Sequence, residues 1–305
     1  MPLDCSEARA ERGLRSAAVP AATFLLLVSS AVCRAEDLAQ LWEAARRGGE
    51  YQIPGRAELS DAVGLFQRTL EGKEDTDALG KAWRDLGFEL TTAAVGREKL
   101  LVLRELPDRK TGRGFYLFRQ GPGPAIALQA PHGSEDLHTG VIALSLFEQG
   151  GVRAGAWNTV RRSGGDLAHL PSSYLQAFTR AFAATHRRGL LVQLHGFETS
   201  KRTSEAGAAA DMIVSNGTRE PPLWLLAVAR GFRDGVTRKV KVYPNDIKEL
   251  GGTTNAQANL LRDLGHDGFL HVEMSPGLRK QLRDDHSVRE VFLKCLTEVY
   301  RKERE

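Results

Sequence analysis

Along this chain the spacing of apolar positions changes in stages. In residues 37–47, Leu38, Leu41, Trp42 and Ala45 recur at helical spacing, which predicts a helix with one apolar face. The same spacing returns over 60–70, where Ala62, Val63, Leu65 and Phe66 form the apolar side, and over 76–86, closed by Gly87. From Phe88 the apolar runs shorten. Residues 88–91, 100–103 and 114–118 are rich in Phe, Leu, Val and Tyr, with turn residues such as Lys110-Thr111-Gly112 between them, and predict a meander of strands.

From residue 125 onward, strand-length apolar runs alternate with amphipathic stretches. Strands are predicted at 125–130, 154–160, 190–194, 211–214, 240–243 and 268–273. Helices are predicted between them at 141–147, 172–188, 222–233 and 254–264, and a last one at 287–301. This alternation predicts an α/β fold, with a mixed, largely parallel sheet carrying helices on both faces. Gly121-Pro122-Gly123-Pro124 marks the border between lead-in and core. The organisation expected is a helical N-terminal segment over 36–90 and an α/β domain over 91–305.

The first residues differ in kind. Arg9, Arg12 and Arg15 precede an apolar run over 17–32, followed by cleavage points after Ala31 or Ala35. That is the layout of a secretory signal peptide over 1–35. The mature protein is then expected in the periplasm or outside the cell, with no stable membrane span after cleavage, because the run is short for one. An uncleaved anchor is the alternative. Cleavage takes away Cys5 and, at the later point, Cys33, so no internal disulfide is expected. Cys295 sits in an apolar helical stripe and reads as a small core residue.

Composition adds little. The 305 residues, 42% hydrophobic and 26% charged, suffice for a sizeable core. A net charge of +4, without a basic stripe interleaved with aromatics, gives no footprint for nucleic-acid binding.

The chemistry gathers at strand ends, where α/β sheets bind their ligands. The apolar run at 125–130 stops at Pro131 and delivers His132, with Glu135 three residues on. The run at 190–194 delivers His195-Gly196, and the run at 268–272 delivers Glu273. Two histidines and a glutamate are a catalytic zinc set that leaves one position open. A separate carboxylate is then needed as base, and Glu273 suits that role because burial raises a carboxyl pKa towards neutrality. Several alternatives stay open. His138 could replace Glu135, and Asp136 reads as a helix N-terminal carboxylate or as an acceptor that orients a ligand histidine. His271 shares a strand face with Glu273 and reads as a core histidine or a support for the site. Asp284-Asp285-His286 reads as a cap for the last helix. No metal role is expected of His169, His186 or His266.

The order His-x-x-Glu, a later strand-end His and a Glu on a still later strand resembles the zinc carboxypeptidase superfamily. That group includes carboxypeptidase-like peptidases, aspartoacylase and succinylglutamate desuccinylase enzymes, and poly-γ-glutamate hydrolases. N-formylglutamate amidohydrolases are similar in their Pro-His opening. The resemblance spans about residues 125–300 and implies a phosphorylase/hydrolase-like α/β fold. It implies zinc on His132, Glu135 and His195, with Glu273 activating the zinc's water and acting as general base and acid. The expected substrate is a peptide or an acyl-amino acid. Asp166-Leu167-Ala168-His169 stands where such enzymes often carry Asp-Leu-Asn-Arg, and Arg161 or Arg162 just before it is expected to polarise the scissile carbonyl. Ala168 and His169 lack the usual carboxylate clamp, so a weak preference for a free α-carboxylate is expected unless Arg161, Arg162, Lys201 or Arg202 takes over. The rival to a hydrolase is a binding protein of the same fold without catalysis.

Overall fold

Nine strands among the described residues join in one mixed sheet. They are β1 (Phe88–Val95), β2 (Glu98–Glu105), β3 (Phe115–Arg119), β4 (Ile126–Ala130), β5 (Ala154–Trp157), β6 (Leu190–Gly196), β7 (Met212–Ser215), β8 (Val240–Val242) and β9 (Phe269–Met274). The order across the sheet is β1-β2-β3-β5-β4-β6-β9-β7-β8. The structure, a computed structural model, describes residues 38–46, 50–96 and 98–303. The expected export signal over 1–35 lies outside them. No helix among the described residues is long and apolar enough to cross a membrane.

The centre of the sheet, β5-β4-β6-β9, is parallel. The β1–β3 meander runs antiparallel and docks on β5, so β4 lies inside, next to β6. On the other side β7 runs against β9 and pairs in parallel with β8. The strand expected over 154–160 ends at Trp157, because Asn158 turns aside to bond Pro131. Its Nδ2 donates to the Pro131 carbonyl at 2.8 Å and its Oδ1 accepts from Val160 N at 3.0 Å. That crosslink ties the tip of β4 to the chain after β5.

The helices are α1 (Leu38–Arg46), α2 (Arg56–Glu71), α3 (Thr76–Asp85), α4 (Thr139–Gln149), α5 (Tyr174–Thr185), α6 (Glu205–Ala208), α7 (Leu223–Gly235), α8 (Ala256–Asp263), α9 (Pro276–Asp284) and α10 (His286–Glu303). Period-two alternation sorts each strand into two faces. Ile126, Leu128, Leu190, Val192, Leu270 and Val272 point into one core with α1, α4, α7, α9 and α10. Ala127, Leu191 and Phe269 point into the other, with α2, α3, α5 and α8. Asp285 caps α10 as expected, its Oδ1 accepting from Ser287 N at 2.8 Å. The short α6 and the longer α9 have no counterpart in the expected elements. In α9 only Leu278 and Leu282 give an apolar stripe, which is too thin to read. A proline in its first turn and the Ser275 cap, accepting from Leu278 N at 3.2 Å, start it instead.

Candidate active site

On the α5/α8 face, three adjacent parallel strands turn from apolar to polar as they approach their carboxyl ends. Ala127, Leu191 and Phe269 lie in one row across β4, β6 and β9, and Gln129, Gln193 and His271 in the next. His195 and Glu273 follow as direct partners. His132 stands just past the end of β4, where a tight turn begins. Its carbonyl accepts from both Glu135 N and Asp136 N at 2.9 Å. His132, Asp136, His195, His271 and Glu273 face a cleft of about 610 Å³ at the carboxyl end of the sheet.

The two histidines meet. His132 Nδ1 and His195 Nδ1 are 3.2 Å apart. Asp136 Oδ2 lies 3.5 Å from the first and 3.6 Å from the second. Both Nε2 atoms have outer partners: Asp166 Oδ1 at 2.9 Å for His132, and Gln193 Oε1 at 2.8 Å for His195. Two imidazole nitrogens and a carboxylate oxygen therefore converge on one point, with donor atoms within 4.8 Å of one another. This set suits zinc in chemistry, and its outer partners are of the kind that orient metal-ligating imidazoles.

The carboxylate in that set is Asp136. Gly196 N donates to its Oδ2 at 3.0 Å, which pins the carboxylate to the end of β6 beside His195. Glu135 lies outside the trio, exposed, and its carboxylate accepts from Arg162 N. Spacing alone does not separate the two, since residues three and four apart share one side of a turn. The bond from Gly196 N holds Asp136 beside the histidines, while Glu135 is held by Arg162 N. His138 is further away: it sits at the start of α4 and meets Arg283 Nη1 at 2.9 Å.

Electrostatics follow from burial and from these partners. Burial alone would lower the His132 pKa, but bonds to Asp136 and Asp166 outweigh it and lift it to about 9. Burial would raise Asp166, yet His132 and Arg162 bring it to about 2. Asp136 is likewise held below the usual carboxylate range by the two histidines, against its burial. Burial lowers His195 and His271, each further lowered by its histidine neighbours. Glu273 goes the other way. It is 8% exposed, and burial, then repulsion from Asp136, raises it to about 8. Its Oε2 makes no hydrogen bond to the described residues, and its Oε1 is 3.8 Å from His271 Nε2. Cys295 packs partly against the core, away from this cleft, with its thiol pushed up by burial to about 11.

The cationic residues divide. Arg162 lines the cleft, and its Nε donates to Asp166 Oδ2 at 2.8 Å, bracing the group that holds His132. Arg161 lines a neighbouring cleft with Glu43, Arg46 and Ser163. Lys201, Arg202 and His169 stand on the wall of the same cleft as His132. Two deeply buried polar residues here were missed by sequence reasoning. Arg279, on α9, is 2% exposed, lines the cleft and gives an Nη2 bond to Glu198 Oε1 at 2.9 Å. Its Nη1 stands 1.7 Å from where a Cβ on residue 196 would be, so only glycine leaves it room. Gln193 is fully buried two residues before His195. A lone glutamine in the apolar run Leu190-Leu191-Val192-Gln193-Leu194 was the available signal.

Compared with known proteins, the chain matches no family model and no curated protein sequence. Solved structures give matches of low identity. One is N-formylglutamate amidohydrolase from Ralstonia eutropha JMP134, at 12% identity and a TM-score of 0.46, covering 62% of this chain and 97% of that one. Another is a bacteriophage poly-γ-glutamate hydrolase, at 13% identity and a TM-score of 0.33, covering 60% and 86%. A third is an aspartoacylase family protein from Mesorhizobium loti, at 13% identity and a TM-score of 0.35, covering 70% and 66%. Likeness at this level carries no role to any residue.

Proposed function

We propose that this chain is an exported, zinc-dependent hydrolase of amide or peptide bonds, acting on a peptide or an acyl-amino acid. One observation supports this most: His132 and His195 turn their Nδ1 atoms and Asp136 its Oδ2 to one point, beside the carboxyl of Glu273 on the neighbouring strand. His132, His195 and Asp136 would hold the ion, and Glu135 is the carboxylate next to them on the same turn. A zinc ion there would supply a Lewis acid for the carbonyl oxygen and for the attacking water.

The chain's own groups do the rest. Glu273 lines the cleft, its Oε2 has no hydrogen-bond partner among the described residues, and burial raises its pKa to about 8, so it can take a proton from water and return it to the leaving amine. Arg162, which lines the same cleft, is placed to meet developing negative charge on the substrate. Asp166 keeps His132 oriented while Arg162 holds Asp166. The signal-like segment over 1–35 supports export on sequence alone.

The test is metal analysis of the purified chain beside an activity screen on peptides, their amides and acylated amino acids. One zinc per chain with turnover of an amide bond is expected. A chain that takes up zinc but cleaves none of these would be a binding protein, and a chain that takes up none would end the metal reading.

A further inference from the structure

His195 is held differently from His132. Asp166, an anion, accepts from His132, whereas the partner of His195 Nε2 is the neutral amide of Gln193. A glutamine can present either its oxygen or its NH₂, so which nitrogen of His195 carries the proton depends on which way this amide faces.

Three chains of hydrogen bonds fix that orientation, each ending on a backbone group with only one role. Gln193 Nε2 is 3.1 Å from Gln257 Oε1, and Gln257 Nε2 donates to the Leu167 carbonyl at 2.9 Å. A carbonyl only accepts, so Gln257 must turn its NH₂ there and its oxygen to Gln193. Gln193 Nε2 is also 3.0 Å from Gln129 Oε1. Gln129 Nε2 donates to Thr179 Oγ1 at 2.9 Å, and that hydroxyl is committed to the Leu175 carbonyl at 2.8 Å. The third chain starts from the cap of α8, where Asn255 Oδ1 accepts from Gln257 N and Ala258 N, both at 3.0 Å. A backbone N–H only donates, so Asn255 must turn its NH₂ to Gln193 Oε1, which it meets at 2.5 Å. Turning Gln193 round would set NH₂ against NH₂ and oxygen against two oxygens. Gln129, Gln193 and Gln257 are fully buried, so no solvent relieves such a clash.

The geometry assigns Gln193 as a positioning residue: a buried amide relay holds its oxygen towards His195, places that ring's proton on Nε2 and keeps the Nδ1 lone pair facing His132 and Asp136, ready for a cation. This rests on the metal reading proposed above. It makes the relay, spread over β4, β6, α5 and α8, part of the site although none of its amides would hold the ion.

Ring-nitrogen NMR of the ¹⁵N-labelled, metal-free chain, with His195 assigned through His195→Gln, reads the tautomer directly. The wild type is expected to carry the His195 proton on Nε2. In Gln193→Met, which keeps length and volume, the two tautomers should mix. Zinc affinity, measured with zinc alone against a chromophoric chelator, should fall about 10- to 100-fold, the usual effect of losing an outer partner. Gln257→Met, which leaves the Gln193–His195 contact and removes one anchor, should fall between wild type and Gln193→Met. A wild-type proton on Nδ1 would overturn the assignment, as would a Gln193→Met chain with unchanged tautomer and zinc affinity within about twofold. If either variant fails to fold, the wild-type spectrum still decides. A wild type that takes up no zinc would overturn the metal reading alone, since the ring-proton measurement needs no metal.

Discussion

Phe66 and Gln193 are both fully buried on the same face of one sheet, yet they hold their surroundings together in different ways. Phe66 packs against Trp83 and Tyr116, each with ring centroids at 4.8 Å, and against Phe178 at 5.6 Å. The packed ring faces have no donors and acceptors to match, and the polar atoms of Trp83 and Tyr116 bond elsewhere, to Thr69 Oγ1 and the Arg113 carbonyl, so the volume of the rings decides this packing. Gln193 makes contacts that work in one direction only, and burying its amide is favourable only because every polar atom has a partner. The wing of β1–β3 under α2 and α3 is therefore held by volume, while the centre at β4, β6 and β9 is held by direction. Stability and chemistry should separate along that border.

Substitutions at the metal point test the border most severely. His132→Ala or His195→Ala should abolish zinc uptake and turnover while the chain stays folded. Asp136→Ala should weaken zinc uptake more than Glu135→Ala, and the reverse ranking would return Glu135 to the ligand set. Full occupancy in a double histidine variant would place the metal elsewhere.

Glu273→Gln comes next. It keeps the shape of the base but cannot accept a proton, so kcat should fall by roughly two to four orders of magnitude with zinc uptake intact. An unchanged kcat would remove Glu273 from the mechanism and make Asp166 the carboxylate to test. On the wing, Phe66→Ala should cost about 3–5 kcal/mol in a denaturant titration, with kcat of the folded fraction unchanged. A loss of kcat instead would show that the wing and the centre are coupled.

Smaller effects sharpen the picture. Cleavage of a peptide and of its C-terminal amide should differ by less than about tenfold, or about 1.4 kcal/mol, because Ala168 and His169 offer no fixed cation. A larger preference for the free acid would point to Arg162, Lys201, Arg202 or Arg279 as the clamp. The metal-free chain should also lose stability as pH rises from about 6.5 to 9. Folded His132, at about 9, keeps a proton that an unfolded histidine releases near 6.5, so its contribution is complete below 6.5 and gone above 9. Glu273, at about 8 against an ordinary 4.5, also retains a proton on folding, so the slope has the same sign up to 8. A melting temperature that climbs across that window would show that neither proton is held as described.

The sequence carried the wing well, because Ala62, Val63, Leu65 and Phe66 recur at helical spacing and Leu101, Val102 and Leu103 fill a strand whatever their partners. It also singled out His132, His195 and Glu273, which the fold brings to one cleft, since a polar residue at the end of an apolar run stands out. It did not separate Asp136 from Glu135, because the bond that selects Asp136 comes from Gly196 on another strand. Arg279 stayed hidden in a helix whose stripe was too thin to see. Gln193 was visible as an oddity but had no meaning until Gln129, Asn255 and Gln257 were brought around it by the fold.

The vacancy at Gly196 imposes an order on how this site can change over generations. Arg279 occupies the volume that a side chain at 196 would need, and its guanidinium is the free end of a long arm. A methyl group at 196 would therefore evict the arginine head and leave the strand in place. A lineage that loses Arg279 first becomes free to vary at 196, whereas one that gains a side chain at 196 first loses the Glu198 pairing in the same step. Descendants with a bulky residue at 196 should rarely keep arginine at 279, and Gly196→Ala in the present chain should release Arg279 without a substitution at 279 itself.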